Sequence, residues 1–377
     1  MHEAVLVYGA AAATGVAAAD VEDFSCSGVT GASHWACLLL DFQGDVASIS
    51  FNRSAITNNT VSSGSGAGAL VFTSAQASKG GGSSSAALTV RITNSCLAGN
   101  TGGSGSALYS SVPLLEMDIN QSYIGDHRST FRGMFGGGAV HIKANSSAVR
   151  LHGTNIEHNT AECGSGGAIY LSSNVDTIAI DGSSKISGNR AVLGGAIYVS
   201  GSVDAFILDG SSTISGNRVD GGSGGALYIR SVSFFAVTGG SAISDNSAQY
   251  AGGAIYVFSY VGAVTINGSS TISDNRADGG SGGAIYIADY VDTITIDGSS
   301  MISGNRAYGG NGGAIYIADY VDTISIDGSS TISGNRVDGG SGGAVFVLSY
   351  VNVLTIIGSS TISGNRADGG SETPLFT

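Results

Sequence analysis

The chain has 377 residues, with 15 Lys and Arg against 28 Asp and Glu and a formal net charge of −13, a balance that excludes the clustered basic surface a nucleic-acid backbone requires. Charged residues make up 11% and glycines number 61 against two prolines, which excludes collagen-like and Pro-rich disordered chains and points to a hydrogen-bonding rather than ionic surface. No stretch reaches the roughly 18 uninterrupted apolar residues of a membrane-spanning helix, so no integral membrane segment is expected.

Residues 1–23 read as an N-terminal extension, either a cap or a weak signal segment. The run from Ala4 to Ala19 is small and apolar, but Glu3 stands where a signal peptide carries positive charge. Residues 24–136 read as degenerate repeats, each marked by an apolar residue three before a polar one: Phe24 and Ser27, Ile56 and Asn59, Leu97 and Asn100, Ile124 and His127. The 41-residue step from Asn59 to Asn100 contains the Gly- and Ser-rich run Ser78 to Ser85, expected as a flexible insertion near 78–87. Cys26, Cys37, Cys96 and Cys163 show no CxxC spacing; a Cys26–Cys37 bridge and free thiols are both open.

Residues 137–371 read as regular repeats. Gly-Gly-Ala-Ile at 166–169 returns at 194, 252, 282 and 312, with Val140, Leu227 and Val345 as variants. Its eroded forms are Trp35-Ala36-Cys37, Gly68-Ala69-Leu70 and Ser106-Ala107-Leu108. The second marker is Asn159, Asn189, Asn217, Asn246, Asn275, Asn305, Asn335 and Asn365, at steps of 28 to 30. Within a unit, Ala284 to Ile287, Thr293 to Ile296 and Met301 to Ser303 alternate with period two, and Gly-rich turns separate them. Residues 372–377 are a tail. The expected fold is all-β: a single-stranded right-handed parallel β-helix (β-solenoid) of about twelve rungs of about 30 residues, three short strands each.

The repeated asparagines suit a structural side-chain amide ladder. The alanine after the Gly pair, constant from Ala36 to Ala344, suits a tight corner. By alternation the residue two further on faces outward, giving a file of Tyr170, Tyr198, Tyr228, Tyr256, Tyr286 and Tyr316, flanked by Tyr109, His141 and Phe346. A second file is Tyr260, Tyr290, Tyr320 and Tyr350. These files are either self-stabilising or a ligand or partner face. The outward Thr271-x-Ser273, Thr331-x-Ser333 and Thr361-x-Ser363 pattern raises ice binding as an alternative, interrupted at Lys185, Ala242 and Met301.

A catalytic group would have to break the repeat. The polar irregularity lies at Asp126, His127, His141, His152, Glu157, His158, Glu162 and Cys163, with no metal-ligand spacing or nucleophile–base pair to name. No catalytic residue, cofactor or metal is expected, and the Asp-Gly-Gly-Ser-Gly-Gly loops are turns rather than calcium sites.

With literal GGAI marks and an IxxN form of FxxN, as from Ile302 to Asn305, the chain resembles the chlamydial polymorphic outer-membrane protein repeats from about residue 137 to 367. The resemblance implies a right-handed β-helical, surface-displayed passenger used in adhesion. The expected function is therefore a non-catalytic, secreted or surface-exposed, adhesin-like or structural protein offering a Tyr/Thr/Ser-rich face to glycans or to host or cell-surface proteins. The alternatives are a polysaccharide-acting enzyme on the same fold and a fragment of a larger autotransporter-like protein.

Overall fold

The computed structural model describes residues 17–31, 37–41, 46–61, 69–73, 87–130, 132–133 and 136–369. Residues 1–16 of the expected extension, the marks Trp35, Ala36 and Gly68, the insertion up to residue 86 and the tail 372–377 lie outside the described residues.

A single rung shows how the pattern becomes structure. Ile285–Ile287 and Val291–Ile296 form the wide face, Met301–Ser303 the second and Arg306–Tyr308 the third. Each of these pairs in parallel with its counterpart one period away, as Ile302 does with Ile272 and Ile332. Among the described residues the second and third faces are sheets of twelve strands, and the wide face is one sheet of 21. The chain is thus an all-β parallel β-solenoid of stacked coils with three sheets. At roughly 4.8 Å per rung, twelve rungs make a rod on the order of 55 Å long.

The structure refines the expected strand set in two ways. The two wide-face segments are so nearly collinear that they fuse into one strand at Ile197–Leu208 and at Leu227–Val237. A further short strand, Arg306–Tyr308 and its equivalents, supplies the third face; at two or three residues it is too short for alternation to reveal. The coil also begins earlier than residue 24, because Ala17–Glu22 pairs in parallel with Val46–Asn52.

The core is one continuous column. Ile285, Ile287, Val291, Ile294, Ile296 and Ile302 are buried, as period-two alternation requires when one side of every strand faces a closed interior. Ala284 fills the corner and Ala307 is the inward residue of the third-face strand; both are buried. The Gly pair before each corner alanine has a steric cause: a Cβ on Gly283 would meet the Gly313 carbonyl oxygen at 2.1 Å and the Arg306 nitrogen at 2.6 Å. At the next corner Gly298 and Ser299 both have φ of 63°, so the chain reverses through two successive left-handed residues.

A rung's aliphatic side chains each contribute roughly 1.5–3 kcal/mol on burial, while ordering its backbone costs about 1–2 kcal/mol per residue. One rung cannot stand alone, and the array folds as a set. Ile302→Ala is expected to cost about 2–5 kcal/mol, read from the denaturant midpoint. Met301→Ser, at an outward position 40% exposed, should stay within about 0.5 kcal/mol.

Candidate functional site

Five side-chain files run along the rod, and each is defined by what a residue meets one rung away. The first is the asparagine file. Asn305 Oδ1 accepts from the Asn275 backbone N–H and from Asn275 Nδ2, both at 3.0 Å, and Asn305 Nδ2 donates to Ile272 O at 3.0 Å and Asn335 Oδ1 at 2.9 Å. The same geometry links Asn159, Asn189, Asn217, Asn246, Asn275, Asn305, Asn335 and Asn365. It also joins Asn59 to Asn100. Asn159 through Asn335 are all buried, so each amide uses its donors and acceptor where water cannot replace them.

His127 keeps the file unbroken. Its Nδ1 accepts the Asn100 N–H at 3.1 Å, its Nε2 meets Leu97 O at 3.0 Å, and its own N–H donates to Asn159 Oδ1 at 3.0 Å. These partners assign the Nε2–H tautomer. The ring places an acceptor and a donor where an asparagine amide would. Burial holds its pKa down to about 4, against an ordinary 6.5.

A second buried file escaped the sequence reading. The backbone N–H of each corner serine donates to the hydroxyl one rung on: Ser270 to Ser300 at 3.2 Å, Ser300 to Ser330 and Ser330 to Ser360 at 3.1 Å. The file reaches back through Ser241, Ser212, Ser184, Thr154, Ser122 and Ser95 to Ser54. The second serine of each Gly-Ser-Ser turn was the available signal.

The tyrosine file is the third. Centroids from Tyr170 through Tyr198, Tyr228, Tyr256 and Tyr286 to Tyr316 are 4.8 to 5.2 Å apart, with rings stacked. The rings leave their strands on the side away from the core, as alternation requires, but they are largely covered. Tyr170 is 2% exposed, Tyr198 8% and Tyr316 9%, while Tyr228, Tyr256 and Tyr286 are half-buried. The Gly-rich turn closes over this strand: a Cβ on Gly137 would meet Tyr170 Cβ at 2.2 Å. Burial raises the pKa of all six hydroxyls. With its neighbours covering the ring faces, the file offers a ligand ring edges and hydroxyls only.

The corner tyrosines are the fourth file. Tyr260, Tyr290, Tyr320 and Tyr350 lie 5.2 to 5.3 Å apart. They are more open, with Tyr350 51% exposed. The fifth file, also missed in the sequence, is ionic and lies on the third face: Asp220 takes Arg190 and Arg218, Asp338 takes Arg306 and Arg336, and Asp368 takes Arg336 and Arg366.

The irregular polar residues do not converge. His141 stands in the tyrosine file, edge-on to Tyr109 at 5.1 Å and Tyr170 at 4.7 Å. Its Nδ1 meets the Ser104 hydroxyl, its Nε2 meets Ser172 Oγ at 2.7 Å, and burial holds its pKa down to about 3. Tyr123 donates to Asp126 at 3.2 Å, His152 pairs with Asp181 at 2.6 Å, Lys185 with Glu157 at 2.9 Å, and Arg128 with Glu162. Among the described residues no group of three His, Cys, Asp or Glu is placed to hold a metal ion. Cys26 and Cys37 form a disulfide, Cys96 is half-buried and Cys163 exposed.

Two measurements check these files. Asn305→Ala leaves the Asn275 N–H without its acceptor and takes one bond each from the Asn275 amide, which keeps Ile243 O, and from the Ile272 carbonyl, at about 1–3 kcal/mol for the stranded group, so its unfolding midpoint should fall more than that of Ser303→Ala, whose side chain is half-exposed. As pH falls, the unfolded chain takes up the His127 proton before the folded one. The stabilisation from a neutral His127 is therefore complete above about pH 6.5 and is lost between there and about pH 4, on the order of 3 kcal/mol. His141 acts in the same direction. His127→Asn, which restores the ladder residue, should flatten that part of a stability-against-pH curve.

A search of curated proteins and of solved structures returned no match. Residues 269–288, which span the second-face strand, the Asn275 corner and the Gly-Gly-Ala strand, match the Chlamydia polymorphic membrane protein repeat. The chain is thus a parallel β-solenoid in which one segment is similar to that repeat, and the GGAI and IxxN marks of the segment recur along the stacked rungs.

Proposed function

We propose that this chain is a non-catalytic rod displayed at a cell surface, working in adhesion by holding glycans or surface proteins along its flank. The repeat match supports a surface location. The observation that carries the reading is the commitment of the repeated buried polar groups to rung-to-rung bonds, which leaves recognition to the outer files. In the more open aromatic file, Tyr260 to Tyr350, the two middle rungs carry Asp289 and Asp292 beside Tyr290 and Asp319 and Asp322 beside Tyr320, so carboxylate acceptors stand close in sequence to phenol hydroxyls there. That is hydrogen-bonding chemistry suited to sugar hydroxyls or to a polar protein surface.

A polysaccharide-acting enzyme needs a base poised near the working pH. His141 bonds a serine hydroxyl, but burial holds its pKa near 3 and its ring is sealed between tyrosines, which disfavours that role. The discriminating experiment is retention of the purified rod on glycan arrays and on cells, with product release followed in parallel. The reading predicts retention without turnover, weakened several-fold by Tyr290→Ala with Tyr320→Ala at unchanged circular dichroism. Turnover of a glycan, lost in His141→Ala or Asp126→Ala, would contradict it.

A further inference from the structure

The ionic file of the third face has a break, and the break has a shape. Ser247 pairs in register with Arg218 on one side and Arg276 on the other, so a serine stands where both neighbouring rungs carry arginine. Two residues on, Gln249 stands where those rungs carry Asp220 and Asp278. Elsewhere the file's aspartates bridge the arginine of their own rung and that of the rung before. Asp278 holds only Arg276 among the described residues. Its side chain is 43% exposed, against 31% for Asp220, 23% for Asp338 and 22% for Asp368, which is the mark of a carboxylate lacking its second guanidinium.

The gap is a surface pit of about 420 Å³ lined by Arg218, Asp220, Ser247, Gln249, Tyr250 and Asp278. Tyr250 is 53% exposed and occupies a turn that in the next rung is Gly279 and Gly280. Among the described residues no stacked ring covers it, unlike the tyrosines of the two files. Arg218 is engaged by Asp220 as Asp278 is by Arg276, but Arg276 Nε meets Asp278 Oδ1, which leaves the Oδ2 side of that carboxylate, in the same pit as the Tyr250 ring, to accept from a second cation with hydrogen-bond donors.

We propose that this pit binds a guanidinium group, the arginine side chain of a partner protein. Its planar fork takes the free side of the Asp278 carboxylate, in place of the absent ladder arginine, and its face lies on the Tyr250 ring. The chain displays the same chemistry nearby: the guanidinium groups of Arg276 and Arg306 lie over the Tyr308 ring, 4.4 and 4.1 Å from its centroid, each with an aspartate partner. A lysine ammonium has no flat fork to meet carboxylate and ring together. The site is independent of the corner tyrosines, so either assignment can fail without the other.

The test is fluorescence anisotropy of the full chain with a labelled Gly-Ser peptide carrying one arginine, beside its lysine and citrulline counterparts. The arginine peptide should bind at least roughly fivefold more tightly than either. Ser247→Arg, which fills the pit with the residue the neighbouring rungs carry, and Tyr250→Ala should each weaken binding by about tenfold, with melting curves at or above that of the unchanged chain for Ser247→Arg. No binding of the arginine peptide at millimolar concentration, equal binding of all three peptides, or full binding by Ser247→Arg would overturn the proposal. So would a neutral oligosaccharide that competes while the arginine peptide does not bind.

Discussion

Rung registry in this molecule is set by one repeated interaction, the capture of a backbone N–H and a side-chain amide by the Oδ1 of the asparagine one rung on. Each asparagine from Asn189 to Asn335 accepts twice and donates twice, and it is buried, so a shifted rung would strand several polar groups at once. Sheet hydrogen bonds alone do not impose that penalty, because a slipped parallel strand finds new partners two residues away. The near-constant period from Asn159 to Asn365 follows from it. Where an extra stretch is inserted, between Asn59 and Asn100, the amides at either end still bond at 2.9 Å. His127 shows that the requirement is for a donor and an acceptor at fixed places rather than for an amide as such.

Given that constraint, the wall of the rod has little chemistry to spare. Buried asparagines and serines face one another, the main tyrosines cover one another's faces, and most third-face arginines and aspartates neutralise one another. A repeated surface of this kind offers many equivalent contacts, whereas a unique site requires a departure from the repeat. The Ser247 rung is such a departure, exchanging an ion pair for a serine and a glutamine and a glycine turn for an exposed tyrosine.

Much of this was legible in the sequence because stacking writes each file as a period. The Gly-Gly-Ala corners, the asparagine ladder positions and the period-two strands could be read directly, and they carry the fold. The short third-face strand could not, since two or three residues show no alternation. Nor could the burial of Tyr170, because alternation tells which way a side chain leaves its strand but not that a glycine turn folds over it. The Arg–Asp file was visible as Arg-x-Asp at 218, 276, 336 and 366 yet was absorbed into the turns, since the bonds that make it a file, such as Arg306 to Asp338, cross from one rung to the next and leave no mark in local spacing. The Ser247 break has meaning only against that file.

The central claim is that the asparagine amides are interior hydrogen-bonding groups rather than surface ones. Hydrogen exchange of the Asn side-chain amides, followed by NMR, tests it directly. The account predicts that the amide protons of Asn189 through Asn335 exchange as slowly as the backbone N–H of Ile272 and Ile302, because both open only when rungs separate. Side-chain amides exchanging at the rate of an exposed asparagine, while those backbone groups stay protected, would contradict it.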